Sequence, residues 1–413
     1  MMNPLTAPVL AGSRRSQRDK GFSLVELMVA VTIALVMSLA IFSTLATSEG
    51  KKRTITATND VEQVGTFASY QLDKTLRSAG SGFSQAWAFT YGCLLKATQT
   101  GPGLILPFQG GMKAPFTALN TTLGGQYRLA PLIIVKDATS PNITGAGHKS
   151  DALIVMSGSA GYGEVPTLFT VPPVGLQLTL KNTVAFQAND LVLISDVAGA
   201  SGPSDCMIEQ VKSTFVGGGA PAALPLDTSR YSGNPISGSN LTGYSSTSLA
   251  SNLGSGTLAN APTFAILGVG DNNTLLSYDL LQMTAYDTPV AVADGIFEMH
   301  ALYGIDTNND GAVDSWVDPG VAPYNAANLE SGTSASQGLL RNIKAVRVGL
   351  ILRTSLPERT PTGSAAPAST GPLLLFNDLP ASLRYSRALT GAEKNFRYRT
   401  VEMTIPLRNA LLN

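Results

Sequence analysis

Five positions in the C-terminal third have the spacing of a cation-binding loop. Asp306, Asn308, Asp310 and Asp314 fall at positions 1, 3, 5 and 9, with Gly311 at position 6. Oxygen ligands at alternate positions, with the Ala312 carbonyl among them, would wrap a structural Ca²⁺, and glycine permits the sharp turn. Position 12 is Val317 rather than Glu, with Asp318 one place further on. The pattern is therefore D-x-[DN]-x-D-G-x-x-D rather than a full EF-hand. The same side chains also suit a hairpin turn in which Asp and Asn cap backbone amides. Both readings stand on sequence; no cofactor is expected beyond the structural Ca²⁺ of the first.

Cys93 and Cys206 are the two cysteines. Their spacing excludes a CxxC redox motif or a zinc site, and in an oxidising compartment they would form one disulfide. Two buried free thiols are the alternative. His148 and His300 stand apart from any nucleophile motif, and no GxSxG, HExxH or P-loop pattern occurs. The chain is read as a non-enzyme. Trp87 and Trp316 read as core or interface residues. A lone carboxylate, Glu26, opens a run of 22 uncharged residues from Leu27 to Ser48. An ionisable group there is costly and marks a function with a nearby partner.

The elements that position these residues follow from charge and periodicity. As a helix, the uncharged run spans roughly 33 Å, the thickness of a bilayer core, and it exceeds a signal-peptide hydrophobic region. Arg14, Arg15, Arg18 and Lys20 precede it, which keeps the front in the cytoplasm and places everything after Ser48 outside it. Beyond Lys51, Lys52 and Arg53, apolar residues recur at Val61, Val64, Ala68, Leu72, Leu76 and Ala79. That is one stripe of an amphipathic helix, with Gly80 as its C′ residue. Gly50 and Gly65 are candidate bends.

The rest reads as β-rich. Strands are expected at 132–136, 152–156, 166–171, 191–195, 207–212, 264–267, 275–281, 296–303, 343–353 and 397–407. Val346, Val348, Leu350 and Leu352 alternate with Arg347, Gly349 and Arg353, as a half-buried antiparallel strand does. Arg397, Arg399 and Glu402 read as its neighbour's solvated face. Between Ser232 and Gly256, 13 of 25 residues are Ser or Gly, so that stretch is expected to be a loop contributing little packing. Residues 356–371 read the same way. With 28 basic and 28 acidic residues the net charge is zero, which argues against nucleic acid as a partner.

The string GFSLVELMVAVTIAL, from Gly21 to Leu35, resembles the class III signal of type IV prepilins and type II secretion pseudopilins. It has a basic leader, a Gly, a Phe, and a Glu four residues after that Phe. Leu72–Gly80 is similar to the helix end of PilW-type minor pilins. So are the YG-D-x-N-x-DG segment from Tyr303, the Ala345–Arg353 strand and the closing segment to Asn409. The middle, about 101–262, matches no named family.

The resemblance implies cleavage by a prepilin peptidase between Gly21 and Phe22 and N-methylation of Phe22. Glu26 would then pair with the Phe22 amine of a neighbouring subunit and set filament register. It implies an α+β pilin-like fold: a basic leader at 1–21, a transmembrane and filament-core helix at 22–48, an amphipathic continuation at 49–80, and a β-rich head at 81–413. The head would be an antiparallel sheet with large loop insertions. The expected function is that of a minor pilin initiating or capping a type IV pilus. Its expected partners are other minor pilins, the major pilin, the peptidase, the assembly platform and a PilY-type tip adhesin. Its expected location is the inner membrane with a periplasmic head, then the surface pilus. Two alternatives are a type II secretion minor pseudopilin and a membrane-anchored calcium-dependent adhesin or glycan-binding head.

Overall fold

The computed structural model describes residues 21–411, apart from 101–102, 109, 140–148, 162–163, 198, 200–201, 219–221, 229–239, 258–259, 284–287 and 359–366. Most of the leader and His148 therefore lie outside the described residues. The chain divides into two compact units, residues 1–54 and 55–413.

In the first unit, helix α1 (Leu24–Ser78) begins directly after the Gly21–Phe22 pair and runs past residue 54. Its N-terminal part is apolar on every side and exposed throughout, and it is long and apolar enough to cross a membrane. The hydroxyls in this stretch are satisfied locally. Thr32 donates to the Val29 carbonyl at 2.9 Å, Ser38 to Ala34 at 2.7 Å, and Ser43 and Thr44 both to Ala40 at 2.8 Å. A helix that closes its own polar groups this way suits hydrocarbon, where water offers no partner.

In the second unit, α1 turns amphipathic and buries Val61, Gly65, Ala68, Leu72 and Leu76. Val64, expected on the same stripe, is half-buried at its edge. Gly65 is not a bend in isolation but a contact point: a Cβ there would lie 3.0 Å from a Leu352 methyl. Gly80 ends the helix with φ +81°, and its N–H donates to the Met156 carbonyl at 2.8 Å.

Among the described residues the strands form three main sheets. The first, in spatial order, is Val290–Asp294, Thr274–Asp279, Thr263–Gly270, Ser150–Ser157 and Leu132–Thr139, antiparallel throughout. The second is Ser315–Val317, Ile296–Ile305, Ile343–Arg353 and Tyr398–Pro406. Both share one apolar cluster with α1, to which Leu72, Leu76, Ile154, Met299, Val348 and Leu350 all belong. A small hairpin, Leu373–Leu375 with Tyr385–Arg387, packs Leu375 and Phe376 with Phe297 and Ile351 of the four-stranded sheet.

The third sheet has eight strands in the order Gly103–Leu106, Leu95–Gln99, Cys206–Gln210, Asp190–Ser195, Leu249–Ser255, Thr167–Val174, Gln177–Leu180 and Ala222–Pro225. One pair, Leu95–Gln99 with Cys206–Gln210, is parallel. The architecture is thus α+β, with a mostly antiparallel head. The middle of the chain is a sheet with its own apolar cluster around Phe169, Val192, Met207, Leu224 and Tyr244. Leu249–Ser255 corrects the expected Ser/Gly loop: it is buried along its whole length, paired with Asp190–Ser195 throughout and with Thr167–Val174 at Leu249 and Ala250. Small side chains such as Ala250 and Ser251 fit between crowded neighbours and so carry no alternation in sequence.

Candidate functional site

The N-terminal residues singled out by sequence come together at the start of α1. Phe22 is 76% exposed just before the helix. The Leu27 N–H donates to the Ser23 carbonyl at 3.0 Å, closing the first turn. Glu26 lies in that turn, where a carboxylate complements the positive end of the helix dipole. Leu24, Val25, Leu27 and Met28 around it are all more than half exposed. A continuous apolar surface of this size marks a membrane or protein interface.

The C-terminal part of α1 is clamped by the chain's last strand. Asn409 Nδ2 donates to the Ser78 and Ala79 carbonyls at 3.1 and 3.2 Å, satisfying groups that a helix end leaves open. Arg399 pairs with Glu62 of the helix, and Glu402 takes both Arg347 (2.7 Å) and the Phe376 N–H (2.8 Å). Arg397, Arg399 and Glu402 are exposed, as expected of a solvated face, and they also serve as tethers. Trp87 packs against the main apolar cluster with the Arg341 guanidinium 4.6 Å above its ring, and Trp316 lies beside the hairpin cluster.

Cys93 and Cys206 are joined as a disulfide, with Cα atoms 5.5 Å apart. Cys206 opens the strand that pairs in parallel with Leu95–Gln99, so the bond lies beside that pairing and ties the third sheet to the segment following α1.

Asp306, Asn308, Asp310, Ala312 and Asp314 form one loop between Ile296–Ile305 and Ser315–Val317. Their side-chain oxygens accept from the loop's own backbone. Asp306 takes Asn309 N at 2.6 Å and Gly311 N at 2.8 Å, Asn308 takes Asp310 N at 2.9 Å, and Asp310 takes Ala312 N at 2.8 Å. Hydrogen bonds from the Thr307 hydroxyl and N–H hold the Asp314 carboxyl below its ordinary range. Among the described residues, no group of three or more His, Cys, Asp or Glu is arranged to hold a metal. These hydrogen bonds give the loop the turn geometry that the capping reading expects.

His300, dismissed by sequence as an isolated residue, sits at the centre of a buried charge network. Its ring nitrogens lie 3.7 Å from Asp151 and 3.5 Å from Glu298, and it stacks on Tyr385 at 3.7 Å. Glu298 also meets Arg387 at 2.6 Å and accepts from the Tyr385 hydroxyl at 2.8 Å. Burial favours the neutral imidazole, but the two carboxylates outweigh it and raise His300 to about 9. Asp151 and Ser150 also accept the Ala301 and Met299 N–H groups, so the network joins two sheets and the hairpin. Residues from three distant segments make it, and no local spacing announces it.

The chain is a helix that is apolar first and amphipathic after, followed by a mostly antiparallel β head, an α+β arrangement. Comparison with known families adds the particulars. Residues 16–42 match the prokaryotic N-terminal methylation motif, and residues 265–409 match the family described as Type IV Pilus-assembly protein W. The first match spans Gly21, Phe22 and Glu26. The second runs from the five-stranded sheet through the four-stranded sheet to Asn409, the residue that closes α1. Together they support a prepilin-like, type IV pilus-related protein, with a class III signal at its N-terminus and a C-terminal region similar to PilW. No curated protein and no solved structure matches the chain.

Proposed function

We propose that this protein is a minor pilin, a structural subunit that initiates or caps a type IV pilus. The precursor waits in the inner membrane with its head in the periplasm. A prepilin peptidase cuts between Gly21 and Phe22, and the new amine on Phe22 is N-methylated. Gly21 lacks a side chain, so the scissile backbone approaches the protease closely. Glu26 then pairs with the Phe22 amine of a neighbouring subunit. A carboxylate in an oily environment is tolerated when a partner supplies the opposite charge. The partners on this reading are other minor pilins, the major pilin, the assembly platform and a PilY-type tip adhesin.

The observation that carries this reading is the motif Gly21–Phe22–Glu26 at the start of a helix whose next 22 residues are uncharged, mostly apolar and exposed. A deletion strain tests it. Surface pili should fall in number and return on complementation with the wild-type chain. Intact pili with loss of a secreted enzyme would instead identify a type II secretion pseudopilin.

A further inference from the structure

The third sheet carries a cleft of about 500 Å³, away from the residues matched by either family. Its polar walls come from Asn182, Gln187, Asp190, Asn252 and Asn260. Val165 and Val184, 61% and 79% exposed, supply apolar surface beside them. No Lys, Arg, His or aromatic side chain is among its described lining residues.

The floor is a built arrangement. Asn252 is 2% exposed and Asp190 7%. Asn252 Nδ2 donates to Asp190 Oδ2 at 2.7 Å and to the Ala185 carbonyl at 2.6 Å, while Gln187 N donates to the same Asp190 oxygen at 2.7 Å. Both hydrogen bonds fall on Oδ2. Asp190 Oδ1 has no hydrogen-bond partner among the described residues. A register shift between Asn252 and Gly254 sets this geometry. Gly254 has φ +108°, and a Cβ there would lie 2.2 Å from Ser159 Oγ and 2.8 Å from the Asn260 carbonyl. On the rim, the carboxamides of Asn182, Gln187 and Asn260 are exposed and make no hydrogen bond to other described residues.

We propose that this cleft binds a neutral carbohydrate. An anion would meet Asp190 with no cation to offset it. A metal ion would find one carboxylate already half engaged. A purely apolar ligand would strip water from five amide or carboxylate groups and return nothing. Sugar hydroxyls both donate and accept. A carboxamide presents a donor and an acceptor side by side, which matches adjacent hydroxyls, and Asp190 Oδ1 accepts from a third. The C–H face of a pyranose ring then lies against Val165 and Val184. The cavity volume falls in the range of small-ligand sites. Site groups built to bond hydroxyls also give selectivity, because analogues lacking the hydroxyl leave them unpaired.

This inference is independent of the assembly reading, and its test separates the two. The full chain, held in a detergent without a sugar headgroup, is titrated with neutral mono- and disaccharides of glucose, galactose, mannose and N-acetylglucosamine. Saturation-transfer NMR and calorimetry are the readouts. At least one sugar should bind saturably, and Asp190→Asn should weaken it about tenfold. The exposed double variant Asn182→Ala/Gln187→Ala should weaken it similarly with an unchanged melting temperature, which covers the case of a misfolded Asp190 variant. Piliation should be normal in strains carrying that double variant. Binding by none of the panel, binding that the rim variant leaves intact, or tighter binding of glucuronate than of neutral sugars would each overturn the proposal.

Discussion

At the scale of single residues, Glu26 and His300 show opposite uses of charge. Glu26 is exposed at the start of α1 in the described chain, and on the proposed reading its role is played in an assembly. Removing one member of a buried ion pair costs about 3–5 kcal/mol, so Glu26→Gln should reduce incorporation into sheared filaments by at least about tenfold. Cleavage and membrane insertion should be unaffected, as read by immunoblot of fractions. His300 is satisfied inside the head. Its folded-state pKa of about 9 lies above the ordinary 6.5. The folded state therefore holds an extra proton between these values, and stability falls as pH rises. The His300 contribution is fully present below about pH 6.5 and lost as pH passes about 9, with an upper size on the order of 3 kcal/mol. Glu330, raised by burial to about 8 despite Arg128, slopes the same way from lower pH. Urea midpoints from pH 6 to 9.5 should decline, and His300→Gln should flatten the upper part of that decline. Equal slopes in both proteins would refute the assignment.

At the scale of elements, the disulfide and the acidic loop lead to different expectations. The Cys93–Cys206 bond closes a separation of 113 residues. On the chain-entropy model such a closure stabilises by about 4–5 kcal/mol. Reduction, or Cys93→Ala with Cys206→Ala, should lower the urea midpoint accordingly, and an unchanged midpoint would count against it. The loop around Asp306–Asp314 closes on its own hydrogen bonds. Its melting behaviour should be the same in excess EDTA and in millimolar CaCl₂, with Asp310→Ala costing about 1 kcal/mol. Stabilisation by calcium that Asp310→Ala abolishes would show that these oxygens hold the ion. Asn409→Ala should cost a similar amount by opening the last carbonyls of α1.

At the scale of the whole molecule, legibility followed periodicity. The apolar run after Glu26, the stripe from Val61 to Leu76 and the alternating Ile343–Arg353 strand announce themselves because one face or one environment dictates each. Leu249–Ser255 does not, since a strand buried on both faces with Ala, Ser, Asn and Gly imitates a loop. The His300 network and the sugar cleft are invisible for a related reason: long-range sheet pairing assembles them from segments without local pattern. The extra sheet between the two matched regions makes the head bulky for a repeating shaft. Immunogold label should therefore concentrate at filament ends, and regular spacing along the shaft would contradict a tip-proximal position. The most direct measurement of the central claim is mass spectrometry of this protein recovered from sheared pili. The account predicts a chain beginning at Phe22 and carrying one N-methyl group. A chain that retains residues 1–21, or starts elsewhere, or is confined to the membrane fraction would contradict it.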